Sequence, residues 1–376
     1  LMLGLNLQDQ NFFGSGNTVG IGINKNIYSE VYNISFLDPY ATKDGVSLGY
    51  NLYFRETDYG EFNVANYLTN SNGLGVQFGY PISDITRLNF NLTYDKTDID
   101  IGTLPAREIY DFVAAEGNVF ETLSLGFTWQ RVTLNRGLFP TDGSSTSFTL
   151  TSTIPGSDIN YYRANIRQRF YQPLSSQLVF GFQGELGYLD AYGETDETPF
   201  FQNFYAGGPR SLRGFESNTL GPRSTNAPCY EFNYDDGTCP NLIDTDGDGE
   251  LDSPYYNPYA TTNEYSSRSR YRDPPIGGNI KIEGSLQLIF RLPFIEDQRS
   301  MRSAFFFDFG NVFSDNCKDY QINCYKPSID DLRYSYGVGI TWITGFGPMS
   351  FAISKPTNAG PQERTEEFQF TVGNVF

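Results

Sequence analysis

The chain alternates apolar and polar residues with a period of two along most of its length, and that pattern restricts it to β-structure with two unlike faces. About fifteen strand segments follow from the alternation, near 1–10, 17–26, 28–37, 46–56, 67–80, 86–97, 121–131, 145–154, 160–172, 177–189, 280–292, 302–313, 332–343, 349–355 and 366–376. Helical periodicity is not sustained anywhere. Most segments are about ten residues long, the length a tilted strand needs to cross a bilayer. In IKIEGSLQLIFRL, residues Ile280, Ile282, Leu286, Leu288, Phe290 and Leu292 share one face, and Lys281, Glu283, Ser285, Gln287 and Arg291 the other. In SAFFFDFGNVF, Phe305, Phe307, Phe309 and Phe313 lie opposite Ala304, Phe306, Asp308 and Gly310.

Alternation alone leaves two architectures open. A soluble sandwich turns its apolar faces to a core, whereas a membrane barrel turns them to lipid. Composition and connections separate the two. The 376 residues are 39% hydrophobic with a mean hydropathy of -0.40, and no run of eighteen apolar residues is present, so transmembrane helices are excluded. Aromatics are nevertheless 16% of the chain, with 32 Phe and 27 Tyr, as girdles on alternating membrane strands would require. One set of turns is short, as in NFFGSG (11–16), DPYATKDG (38–45) and LFPTDG (138–143), while the other set includes long segments near 98–120 and 190–279. Short turns on one rim and long loops on the other point to an all-β, antiparallel transmembrane barrel.

Bacterial single-chain barrels have an even number of strands. If NFFGSG is a periplasmic turn, residue 1 lies on the outer rim and the last strand ends on the inner one. The expectation is therefore a sixteen-strand barrel of which about fifteen strands are present here, the first being missing.

The formal net charge of -18 argues against nucleic acid as a partner. Residues 224–267 carry nine acids and no Lys or Arg, so one loop supplies about half of that charge. Within it, DTDGDGELD places Asp244, Asp246, Asp248 and Asp252 at positions one, three, five and nine of an EF-hand-like loop, with Gly249 at six. Position twelve is Tyr255 where a calcium loop needs Glu, so two readings stand: a structural Ca2+ site, or a solvated acidic tip that repels lipopolysaccharide phosphates. No cofactor is otherwise expected. The four cysteines form two close pairs, Cys229 with Cys239 and Cys317 with Cys324. With no His in the chain and no two-residue spacing, disulfides are favoured over zinc, which places these loops in an oxidising compartment. The lack of His also leaves no usual nucleophile and base pair, so no enzymatic activity is expected.

One stretch fits neither a helix nor a lipid-facing strand. GGPRSLRGFESNTLGPR, residues 207–223, packs four glycines, two prolines and three arginines into seventeen residues. It closely resembles a run that the BamA family of outer-membrane protein assembly factors carries in its long sixth extracellular loop. Weaker similarity extends over the whole chain, through FPTDG (139–143), IPGSD (154–158), NFYAGG (203–208), FFFDFGNVF (305–313) and EEFQFTVGNVF (366–376). The resemblance implies a sixteen-stranded outer-membrane barrel of a Gram-negative bacterium, spanning 1–376. The family's periplasmic polypeptide-transport-associated domains have no counterpart in it. It also implies that the loop 190–279 folds into the lumen, with Leu212, Arg213, Gly214 and Phe215 as its motif and Asp308 as an inner-wall partner of Arg213. The family's second acid falls on Gln287, and Glu283, on the same face, could take its place.

At the C-terminus, Phe368, Phe370, Val372 and Phe376 share a face and look like the family's assembly signal, and Gly373 sits where the family's last strand kinks inward. A weak seam between first and last strands would expose edges that template incoming strands. The implied function is insertion of β-barrel clients into the outer membrane through that seam. Its implied partners are unfolded client proteins, periplasmic assembly lipoproteins, membrane lipids and lipopolysaccharide. The closest alternative is a protein-secretion pore of the same superfamily, and a diffusion porin is a more distant one.

Overall fold

The computed structural model describes residues 3–26, 29–59, 64–65, 67–101, 105–225, 274–292, 300–321, 324–345, 347–360 and 362–373. They form one fifteen-stranded sheet in which every strand is hydrogen-bonded to its sequence neighbours. The strands are β1 (Leu3–Asp9), β2 (Thr18–Lys25), β3 (Ser29–Asp38), β4 (Ser47–Asp58), β5 (Leu68–Ser83), β6 (Thr86–Asp100), β7 (Val119–Val132) and β8 (Gly143–Thr153). They continue as β9 (Tyr161–Pro173), β10 (Leu178–Ala191), β11 (Ile280–Phe290), β12 (Met301–Phe313), β13 (Arg333–Thr344), β14 (Gly347–Thr357) and β15 (Phe368–Val372). All pairings are antiparallel. Each segment of alternation becomes one strand, and β1 and β15 are the two edges among the described residues.

The sheet is apolar on the outside. Leu5 and Leu7 of β1, Leu52 and Phe54 of β4, Leu74 and Phe78 of β5, and Leu123 and Leu125 of β7 are exposed. So are Phe305 and Phe307 of β12. Their neighbours in sequence point the other way and are mostly small or polar, as with Ala304 and Asp308, both buried. A sandwich would hide these apolar residues. A continuous exposed apolar surface of this kind is a lipid-facing one, and the period-two signal reports lipid on one side and a polar interior on the other.

Curvature follows from what a single loop touches. Residues 200–220, between β10 and β11, reach Phe120 of β7, Arg163 of β9, Asp308 of β12 and Gln369 of β15. One segment can meet strands so far apart in order only if the sheet wraps around it. The buried apolar cluster lies at this end. It joins Phe200, Phe204, Leu212, Phe215 and Leu220 of the loop to Tyr67, Ile109, Phe112, Phe120 and Val312. Connections such as 84–85 and 174–177 are short on one rim, whereas the opposite rim carries 101–118, 192–279 and 314–332.

One element departs from expectation. The segment near 98–120 contains a helix, α1 (Arg107–Glu116), where no helix was expected. Its N-cap is Ala106, with no side-chain cap, so it lacks the usual start signal. It is held by tertiary contacts, burying Ile109 and Phe112 in the loop-side cluster.

The inside-out partition predicts an asymmetric response to charge. Leu125→Arg, on the outward face of β7, is expected to destabilise the folded protein in lipid by about 2–4 kcal/mol if it lies near the bilayer midplane, whereas inward Ser147→Arg should cost far less. Urea unfolding in phospholipid vesicles would measure both. Equal costs would contradict a lipid-facing outer surface.

Candidate functional site: the inward loop and the terminal strand

Leu212, Arg213, Gly214 and Phe215 are all buried. Leu212 and Phe215 enter the apolar cluster, which fixes the chain on either side of Arg213. Gly214 has φ 89°, in the left-handed region that favours glycine, and a Cβ there would lie 3.0 Å from Ser354 Oγ on β14, so the inner wall leaves little room for a side chain as well.

The Arg213 side chain therefore points at β12. Its Nε donates to Asp308 Oδ2 at 2.7 Å and its Nη2 to Oδ1 at 2.7 Å, a bidentate pair, and its backbone N–H reaches Oδ2 at 3.2 Å. Asp308 is 0% exposed and Arg213 5%. The guanidinium also lies over Phe306, 3.5 Å from the ring centroid, and Nη2 donates to Ser285 Oγ of β11 at 3.0 Å. Charge, ring and hydroxyl together satisfy a cation in a place where an unpaired one would be costly.

Gln287, where the resemblance implies a second acid, is buried and donates to Ser285 Oγ at 3.3 Å, so it extends the Arg213 network through a neutral link. Glu283 meets the motif at a different residue. It accepts a hydrogen bond from the Ser211 hydroxyl and pairs with Lys281 at 3.0 Å. A second buried pair, Arg333 Nε to Glu363 Oε2 at 2.6 Å, fastens the segment before β15 to β13.

The rest of the motif is fastened to surrounding loops. Arg223 donates to the Thr219 and Gln362 carbonyls, Gln321 to the Arg223 carbonyl, and Ser224 N–H to the Pro274 carbonyl. Helix α1 closes over this knot. Its Glu108 accepts from both the N–H and the hydroxyl of Thr225, and burial pushes its carboxyl above the usual carboxylate range despite those bonds. Tyr320 donates to Asp111 at 2.7 Å, and burial followed by that bond raises its phenol. The Cys317–Cys324 disulfide is formed, with a Cα separation of 5.7 Å. Cys229 with Cys239, the acids Asp244, Asp246, Asp248 and Asp252, and Phe376 lie outside the described residues.

On β15, Phe368, Phe370 and Val372 face outward and are exposed, while Gln369 between them is 0% exposed. Gly373 has φ 82°, in the left-handed region that favours glycine, while its N–H still donates to the Pro348 carbonyl at 2.7 Å and so adds one more rung to the β14 ladder. Sequence reasoning did not single out Gln369, Phe306 or the Arg333–Glu363 pair. Phe306 stands two residues from Asp308 on the inward face, so alternation carries a signal for it. Gln369 reads as an ordinary inward polar residue.

The family model described as the Omp85 superfamily domain matches residues 11–376. The chain belongs to the Omp85 superfamily. It is an outer-membrane β-barrel domain. It is 29% identical to the outer membrane protein assembly factor BamA of Neisseria meningitidis serogroup B, covering 100% of this chain and 45% of that protein. The mouse sorting and assembly machinery component 50 homolog is 20% identical, over 92% of this chain and 62% of that protein. The chain thus spans less than two thirds of the length of these curated relatives. Among solved structures, BamA from Haemophilus ducreyi lacking POTRA domains 1–3 superposes with a TM-score of 0.79 at 28% identity, covering 99% of this chain and 67% of that one. CdiB from Acinetobacter baumannii gives 0.53 at 11% identity, covering 98% and 55%, a likeness of fold alone.

Arg213→Ala would leave Asp308 charged, buried and without its bidentate partner, and is expected to lower stability by about 3–5 kcal/mol. On a heat-modifiability gel the folded band should convert at a lower temperature than in the wild type. Unchanged conversion would refute the role of the pair as a brace.

Proposed function

We propose that this domain is the membrane part of an outer-membrane protein insertase, which folds β-barrel clients and inserts them laterally at the edge formed by its terminal strand. The observation that carries the reading is the short ladder between β15 and β14. Among the described residues that ladder spans 5 residues of β15, Phe368–Val372, against the 11 of β14, with one further rung from Gly373 N–H to the Pro348 carbonyl, and Gly373 holds a left-handed φ of 82°. A short ladder that carries a glycine is readily displaced, and the backbone groups it frees can pair with an incoming strand. The chemistry is exchange of hydrogen bonds between strands, with no covalent step.

The filled interior supports the same reading. A loop braced by buried ion pairs and an apolar cluster occupies the inside of the sheet, where a diffusion pore needs water. The similarity to BamA proteins along the full chain favours insertion over secretion. The likeness to CdiB concerns a fold that either activity can use. The partners of such a domain would be unfolded outer-membrane proteins, periplasmic lipoproteins of the assembly machine, and the surrounding lipids and lipopolysaccharide.

A cysteine at Thr371 or Val372 of the full-length protein in membranes should crosslink to the terminal strand of a stalled client barrel. The reacting client position should shift in register with the cysteine. No crosslink from a folded protein, together with ion conduction, would turn the reading to a pore.

A further inference from the structure

The loop motif is tied to the terminal strand as well as to the inner wall. Upstream of β15, residues 364–366 run antiparallel to 214–216. Phe215 and Thr365 form a bridge, Glu216 N–H donates to the Arg364 carbonyl at 3.0 Å, and Glu366 N–H donates to the Gly214 carbonyl at 2.8 Å. An ion pair between Arg364 and Glu216 at 3.1 Å flanks the bridge. Pairing to β14 fades over the same stretch, where Ser354 N–H reaches the Glu367 carbonyl at 2.8 Å and the ladder proper begins at Phe368.

Inside β15 a single side chain completes the tie. The Gln369 carboxamide donates from Nε2 to the Phe215 carbonyl at 2.8 Å and accepts at Oε1 from Gly214 N–H at 3.3 Å. Nε2 also lies 3.2 Å from Glu366 Oε2. A neutral amide offers a donor and an acceptor at one site, and both are used on adjacent backbone groups of the motif. Arg213, the preceding residue, is held by Asp308 of β12. Three consecutive motif residues are thus clamped between β12 and β15.

We propose that Gln369 is a positioning residue that couples the seat of the inward loop to the freedom of the terminal strand, the loop standing in for a strand partner where the chain enters β15. Loosening either end of the clamp loosens the other. This deepens the insertase reading by naming what restrains the working edge, and it rests on that reading only for its purpose.

The test is hydrogen exchange on the full-length protein in lipid nanodiscs, each variant being compared with wild type at the same pH. At about pH 8.5, Gln369→Glu and Gln369→Leu should both raise exchange in 213–217 and 362–367 on the order of tenfold, with β11 and β12 still protected. At about pH 5, Gln369→Glu should regain protection, because burial beside the Glu366 carboxylate favours the protonated carboxyl, which keeps one donor for the Phe215 carbonyl and one acceptor for Gly214 N–H, whereas Gln369→Leu should not. Wild-type exchange in 362–367 for both variants, or equal recovery of both at acid pH, would overturn the proposal. If Gln369→Leu does not assemble, the pH reversal of Gln369→Glu decides alone. A wild-type protein that conducts ions and inserts no client would defeat the insertase reading and leave this coupling untouched.

Discussion

The architecture depends on one buried charge. Arg213 has been carried on a loop to the inside of a membrane-spanning sheet, where a lone guanidinium could not be accommodated, and Asp308 meets it with two hydrogen bonds of 2.7 Å. The pair attracts strongly because both partners are out of water, and for the same reason each would be costly without the other. That mutual dependence specifies where the loop sits. Phe306 under the guanidinium, Ser285 beside it and Gly214 against Ser354 leave little room for a second seat.

Around that point the protein has two kinds of apolar contact with opposite tasks. The outward face gives Leu, Phe and Tyr to lipid, which holds the sheet in the bilayer and adds nothing to internal packing. The interior cluster is assembled from loops, with Phe200, Phe204, Phe215 and Leu220 from one connection and Ile109 and Phe112 from α1. The barrel wall is thus stabilised by lipid and backbone ladders, and its contents by a small core of the soluble kind. Removing the loop would take away most of that core, which explains why residues 200–223 are tied to so many neighbours.

The strands were legible because a membrane barrel enforces alternation on every one of them, and all fifteen segments correspond to observed strands. Asp308 was legible for the same reason, since an acid among Phe305, Phe307 and Phe309 must face inward. Helix α1 was hidden because it has no side-chain cap and its helical state is decided by contacts with residues distant in sequence, such as Thr225. Gln369 was hidden for a subtler reason. Its inward direction could be read from Phe368 and Phe370, but its partners are backbone groups of a loop more than a hundred residues away, and no local pattern encodes them. Gln287 marks the limit of reasoning by position. The neutral residue there joins the network through Ser285, with no second carboxylate needed at that position.

The measurement that bears most directly on this account is a double-mutant cycle of Arg213→Ala and Asp308→Ala, followed by reversible urea unfolding in phospholipid vesicles. If the buried pair seats the loop, the two substitutions together should cost much less than the sum of their separate effects, with a coupling of about 3 kcal/mol. Additive effects, within about 0.5 kcal/mol, would show that the two charges act independently and would contradict the account.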